Sequence, residues 1–213
     1  MPHFVDGFFK FKKDVYPQNE TLFETLSHGQ SPEALFITCA DSRIETAMIT
    51  QTKPGDLFVC RNAGNIVPLH DDNTDGMSAS IEYAVAVLNV PHIVVCGHSG
   101  CGAMAGAMAP DKLEALPLVK DFLCQCQPAV DHVKANGAGK SDDEKMAMLI
   151  EQNVLLQIEN LKTHPSVAKR IEAGDITLHG WVYDIKSGDV MAYDVKKAVF
   201  IALEEIDFDS LTP

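Results

Sequence analysis

Two short segments carry the residue types that could do chemistry: Cys39-Ala-Asp41-Ser-Arg43 and Gly97-His98-Ser-Gly-Cys101-Gly102. Each follows an apolar run of β type, so folding could bring two thiolates and an imidazole onto one metal ion. Zinc takes Cys sulfur and His nitrogen readily, and three protein ligands leave the fourth tetrahedral position for water, which marks catalysis more than structure. His98 and Cys101 are three apart, so one turn between a strand ending at Gly97 and a helix opening at Gly102 can aim both at a single ion. Asp41 and Arg43 add a carboxylate and a guanidinium beside the open position. The chemistry implied is activation of a zinc-bound water against a small electrophile, with one zinc per chain.

Each fragment alone has a blander reading. A cysteine after an apolar strand is usually a small buried hydrophobe, and a histidine in a glycine-rich turn is usually a polar loop residue. Gly97-x-x-Gly100-x-Gly102 invites comparison with a phosphate loop, but it lacks both the G-x-G-x-x-G order and the lysine of a P-loop. Cys60 and Cys96 fall inside expected strands and read as core; Cys124-Gln-Cys126 has no histidine nearby and reads as incidental. What favours metal is convergence, because both clusters follow strands whose C-terminal ends form the ligand crevice of an open α/β sheet.

The elements that must position these residues alternate short β-branched runs with longer helical patterns, the signature of parallel strands joined by helical crossovers. Strands are expected at Ala34–Thr38, Leu57–Arg61, Ile93–Cys96 and Ile176–Tyr183, with a final one at Val190–Tyr193. The Lys186-Ser-Gly-Asp189 turn makes the last pair a hairpin, so the sheet is mixed, parallel in its centre with an antiparallel edge. Helical periodicity is clearest over Ser78–Leu88 and Asp143–Leu161, with a loop at Asn136–Asp143 between elements. Phe4, Phe8, Phe9 and Phe11 give residues 1–30 the character of an aromatic helical arm that must dock on something, and the 213 residues otherwise read as one domain.

Composition narrows the partners. Lys and Arg number 17 against 30 Asp and Glu, a net charge of −13, so a nucleic-acid backbone or anionic membrane would be repelled. The first residues lack a cationic start and a long apolar stretch, and no run approaches a membrane span, so a cytoplasmic location is expected. Six cysteines in such a chain point to metal and packing more than to disulfides.

Taken together these residues resemble the β-class carbonic anhydrases. Cys-x-Asp-x-Arg appears as Cys39-Ala-Asp41-Ser-Arg43, His-x-x-Cys as His98-Ser-Gly-Cys101, and the interval carries the family-like Arg61-Asn62-Ala-Gly64-Asn65 and Ile81-Glu82-Tyr83. The similarity runs from about Gln30 to Met104 and resumes at Gly180-Trp-Val-Tyr-Asp184. By that resemblance Cys39, His98 and Cys101 hold zinc, Asp41 with Arg43 is the catalytic dyad, and the reaction is reversible hydration of carbon dioxide to bicarbonate and a proton. The fold implied is the family's α/β architecture, assembled as a homodimer, a dimer-based tetramer or something larger.

The resemblance also points to the plant-type, open-site branch, through Gln30, Phe58 and Tyr83 at pocket positions. Gln30 and the Gly102 N–H are candidate donors to the forming bicarbonate, and Phe58 and Tyr83 a candidate apolar wall. Members with a regulatory bicarbonate site carry Trp three residues before the first ligand; here Phe36 stands there, while Arg61 and Tyr183 are kept. Two rivals use the same residues: hydrolysis of carbon disulfide or carbonyl sulfide, and a non-catalytic zinc-stabilised interaction protein with Asp41 as the fourth ligand.

Overall fold

The computed structural model describes residues 2–70 and 75–207. They divide into two compact units, 1–31 and 32–213. In the first, helix α1 (His3–Lys10) runs through a π turn (Phe11–Val15) and a 3-10 turn (Tyr16–Asn19) into α2 (Glu20–Ser27), and no residue of these segments is buried. Phe11, Tyr16 and Phe23 cluster, the last two stacked 5.2 Å apart. Phe4, Phe8 and Phe9 remain 77, 60 and 56% exposed.

The second unit is built on a six-stranded sheet in the order β2-β1-β3-β4-β5-β6. Its strands are β1 (Ala34–Cys39), β2 (Leu57–Asn62), β3 (His92–His98), β4 (Thr177–Tyr183), β5 (Val190–Asp194) and β6 (Val199–Ala202). The first four are parallel, and β5 and β6 join antiparallel at one edge. The helices are α3 (Thr46–Thr50), α4 (Gly76–Glu82), α5 (Gly102–Met108), α6 (Pro117–Leu123), α7 (Gln127–Asn136), α8 (Asp142–Leu161) and α9 (Pro165–Ala173). From β1 the chain moves to β2 on one side and then crosses to β3 on the other. The carboxyl ends of β1 and β3 therefore flank a topological switch point, where open α/β sheets bind ligands.

Alternation along the strands decides what packs where. Leu35 and Ile37 of β1 and Ile93 and Val95 of β3 face a core completed by Ile81 of α4, Val85 just after it, Val154 and Leu161 of α8, and Val167 of α9. A second cluster joins Ile66 and Met104 to Leu123, Val130, Leu149 and Ile150 from α6, α7 and α8. Helix α8 begins with a capping box, in which Ser141 and Glu144 satisfy each other's backbone N–H groups. It lies so close to the sheet that a Cβ on Gly180 would come within 2.8 Å of Ile158 Cδ1.

Several expectations need adjusting. Strand β3 runs through Gly97 to His98 instead of ending at Gly97, and Val190–Asp194 is followed by a sixth strand, β6. The helix expected over Ser78–Leu88 starts at Gly76, where Asp75 caps the N–H groups of Met77 and Ser78, and it widens into a π turn over Tyr83–Val87. Asn136 ends α7 and Asp142 begins α8, so the connection shrinks to 137–141. Among the described residues no helix is long and apolar enough to cross a membrane.

Candidate zinc site and its carboxylate–guanidinium pair

Cys39 is the last residue of β1, His98 the last of β3, and Cys101 the residue before α5. Their ligand atoms lie within 4.8 Å of one another, and all three residues are buried. The two sulfurs are 4.0 Å apart, near the roughly 3.8 Å that two 2.3 Å bonds at a tetrahedral angle require. His98 places Nδ1 2.9 Å from the Ser99 carbonyl, which fixes the ring with Nε2 turned inward. That Nε2 is buried without a hydrogen-bond partner. A buried imidazole nitrogen that shares its site with two thiols and meets no hydrogen-bond partner is free to take a metal, and the donor set fits zinc.

The protons of the set are distributed accordingly. The Cys101 thiol, and after it His98 and the Gly64 N–H, stabilise a Cys39 thiolate against the cost of burial and bring Cys39 down to about 4. Cys101 is pushed up because its neighbour already carries the charge. Burial works against a charged His98, but Cys39 and the Ser99 carbonyl outweigh it and raise the ring. The remaining cysteines differ: burial pushes Cys96 and Cys126 up to about 12, and exposed Cys124 points its thiol at the Lys120 carbonyl.

Beside the ligands, Asp41 is clasped by Arg43. Nε donates to Oδ1 at 2.9 Å, Nη2 to Oδ2 at 2.6 Å, and the Arg43 backbone N–H to Oδ1 at 2.9 Å. The guanidinium is itself tied to the Gly100 carbonyl at 3.0 Å, in the turn between His98 and Cys101. These bonds hold the Asp41 carboxyl well below the usual carboxylate range. Its Oδ2 lies 3.9 Å from His98 Nε2, at the edge of the ligand set. Bidentate pairing of this kind fixes orientation as well as charge.

Other expected site residues lie elsewhere in the chain. Phe58 and Tyr83 touch each other, with ring centres 6.1 Å apart. Phe58 pairs with Leu35, whereas Cys39 pairs with Asn62. Four residues of strand therefore separate Phe58 from the level of the thiols, about 13 Å. Tyr83 is 45% exposed. Gln30 is exposed in the segment after α2, within the first unit, and Gly102 opens α5 with its surface exposed. Phe36 is buried and meets Trp181 edge to face at 5.9 Å. Arg61 donates from Nε to the Cys39 carbonyl at 3.0 Å and from Nη2 to those of Asp41 and Ile44, both at 2.8 Å, stitching the end of β1 to the loop that carries Asp41.

One contact was not foreseen from the residues. The Gly64 N–H donates to Cys39 Sγ at 3.3 Å. Gly64 has φ +83°, and a Cβ there would come within 3.0 Å of Met104 and 3.1 Å of Ala103. Only glycine both takes that backbone conformation and fits that space. The signal was present as Arg61-Asn62-Ala-Gly64-Asn65, but spacing alone attached no role to it.

Comparison with known proteins agrees with this architecture. A family model described as carbonic anhydrase matches residues 34–190. A carbonic anhydrase of Pseudomonas aeruginosa is 46% identical over 205 residues, covering 96% of this chain and 93% of its own. Carbonic anhydrase 1 of Escherichia coli O157:H7 is 46% identical over 204 residues, covering 95% and 92%. Among solved structures, the β-carbonic anhydrase CcaA superposes with a TM-score of 0.91 at 42% identity, covering 93% of this chain and 90% of that one. A tetrameric β-carbonic anhydrase of Sordaria macrospora gives 0.79 at 33%, covering 88% and 93%. With a family model spanning residues 34–190, relatives 46% identical over nearly the whole chain and β-class structures that superpose on it, the chain belongs to the carbonic anhydrase family, in its β class.

Proposed function

We propose that this enzyme catalyses CO₂ + H₂O ⇌ HCO₃⁻ + H⁺, with one zinc held by Cys39, His98 and Cys101 and with Asp41 and Arg43 as the catalytic dyad. The observation that carries the reading is the geometry of Asp41: its carboxylate stands 3.9 Å from the unpartnered His98 Nε2 yet is bonded twice to the Arg43 side chain. When bound, zinc supplies the Lewis acidity that makes water a nucleophile near neutral pH. Arg43 keeps Asp41 from taking the fourth position itself. Asp41, acceptor only while ionised, takes a hydrogen bond from the attacking water and so turns a lone pair toward carbon dioxide. Orientation is this pair's contribution.

Gln30 and the Gly102 N–H are assigned to the forming bicarbonate, and Phe58 and Tyr83 to the apolar wall. Because Phe58 sits about 13 Å down the strand from its own Cys39 and Tyr83 packs against it, they serve the site of a second copy. That assignment makes the active species a dimer or an assembly of dimers, with 1–30 as an arm of a single domain. The same geometry favours the open-site branch, in which Asp41 stays on Arg43, and the chain is read as cytoplasmic. Stopped-flow hydration of carbon dioxide with parallel zinc analysis tests the function. The parent should be active with zinc bound, and Cys39→Ser and Cys101→Ser should lose both. Full zinc and full activity in those variants would overturn the reading, and turnover of carbon disulfide or carbonyl sulfide in place of carbon dioxide would reassign the substrate.

A further inference from the structure

A buried polar stripe runs along α8. Asn153, Gln157 and Asn160 lie at i, i+4 and i+7, on one face of the helix. They are 1, 0 and 7% exposed, among the apolar residues Leu149, Ile150, Val154 and Leu161. A buried amide is costly unless its donors and acceptors are met, so each should have a specific partner. Each has a backbone partner in one loop. Gln157 Oε1 accepts from the Val67 N–H at 2.8 Å, and Asn160 Nδ2 donates to the Val67 carbonyl at 2.8 Å. Asn153 Nδ2 donates to the Gly64 carbonyl at 3.0 Å. From within the loop, Asn62 donates to the Ile66 carbonyl and accepts from the Ile66 N–H, both at 2.7 Å.

The amides also orient one another. Gln157 Nε2 donates to Asn153 Oδ1 at 2.8 Å, which leaves Asn153 no choice but to present its NH₂ to Gly64. Gly64 in turn donates its N–H to Cys39 Sγ at 3.3 Å. The path from helix to ligand is therefore Gln157, Asn153, Gly64, Cys39, and every bond in it is buried.

We infer that Asn153, oriented by Gln157, is a positioning residue for the zinc thiolate of Cys39, acting through the Gly64 backbone. Its work is to hold a glycine that has no side chain of its own, so that one N–H stays aimed at the sulfur. Outer contacts of this kind typically change metal affinity by about 10- to 100-fold when removed. The inference rests on Cys39 being a zinc ligand.

The test uses the full-length zinc protein and its cobalt-substituted form. Asn153→Leu removes the donor at similar volume, Asn153→Ala removes it with less crowding, and Leu161→Ala is a core truncation on the same helix that removes none of these hydrogen bonds. Zinc affinity is read by chelator competition, and the thiolate environment by the sulfur-to-cobalt charge-transfer band. Folded Asn153 variants should bind zinc about 10- to 100-fold more weakly with a shifted band, whereas Leu161→Ala should lose stability and leave both readings unmoved. Parent affinity and an unmoved band in a folded Asn153 variant would overturn the inference. So would failure of both Asn153 variants to fold, since the amide would then be a folding determinant, and so would an equal affinity loss in Leu161→Ala. Cys39→Ser measured alongside separates the two levels. If it keeps full zinc, the ligand assignment is what fails; if it loses zinc while Asn153 variants do not, only the positioning role fails.

Discussion

Arg43 grips Asp41 with two parallel side-chain bonds, at 2.9 and 2.6 Å, and its guanidinium also reaches the Gly100 carbonyl at 3.0 Å. One arginine thus links the carboxylate to the turn that carries His98 and Cys101. A lysine could supply the charge but not the fork, because it is a point donor without planar geometry.

Arg43→Ala should therefore free Asp41 to swing onto the zinc position. Hydration activity is expected to fall by about 100-fold, the scale on which small misplacements of a reacting group are felt. Stopped-flow rates with zinc content measured in the same samples check this, and zinc should be retained. Arg43→Lys should recover only a small part of the loss.

Bicarbonate should inhibit hydration without cooperativity. A regulatory anion away from the metal needs polar donors, and Phe36 offers none where regulated members place Trp. Arg61 has Nε and Nη2 committed to the carbonyls of Cys39, Asp41 and Ile44, which leaves Nη1 alone to meet an anion. An anion there would be left short of partners, which is costly once buried. Inhibition curves should be hyperbolic; a sigmoidal curve near neutral pH would contradict this account of the branch.

Acid stability should depend on His179. Burial, and next the neighbouring His92 with a ring nitrogen 3.3 Å away, bring His179 down to about 4. An unfolded histidine titrates near 6.5, so between those values the unfolded chain binds more protons. Stability is then complete above about pH 6.5, falls as pH drops through the window, and levels off below about 4. Urea unfolding at pH 7 and pH 5 should show His179→Gln losing about 1–2 kcal/mol less than the parent over that interval.

Activity per chain should fall on dilution. Phe4, Phe8 and Phe9 are too exposed and too apolar to remain in water, and Phe58 and Tyr83 are assigned to a neighbouring site. Replacing Phe4 and Phe8 by Ser should shift light-scattering mass toward the monomer and lower specific activity at least several-fold. A fully active monomer would count against the assignment.

Much of this was legible from residue order. Strands β1 to β4 are short β-branched runs, and the zinc cluster follows from cysteine and histidine at their ends. What escaped was governed by contacts the order of residues does not show. Strand β6 is four residues long, half exposed and paired only to β5, so no strong alternation announces it. Helices α5 to α7 are short and follow one another closely, with Pro110 just past α5 and Pro117 and Pro128 in the first turns of α6 and α7, which leaves each too few residues to show a clear period. Asn153, Gln157 and Asn160 are polar residue types that nothing in their order marks as core, yet they are buried because the loop from Asn62 to Val67 has backbone groups to satisfy. Phe58 and Tyr83 stand out through resemblance, and nothing in their spacing reveals that Phe58 lies about 13 Å of strand from its own Cys39.

The most direct test of the central claim is the hydration rate of Asp41→Asn measured together with its zinc content. The amide keeps the size of the side chain but can turn its NH₂ toward the attacking water, so it no longer enforces one orientation. The account predicts parent-level zinc with hydration slowed by about 100-fold or more. A variant that carries zinc and hydrates carbon dioxide at the parent rate would contradict it.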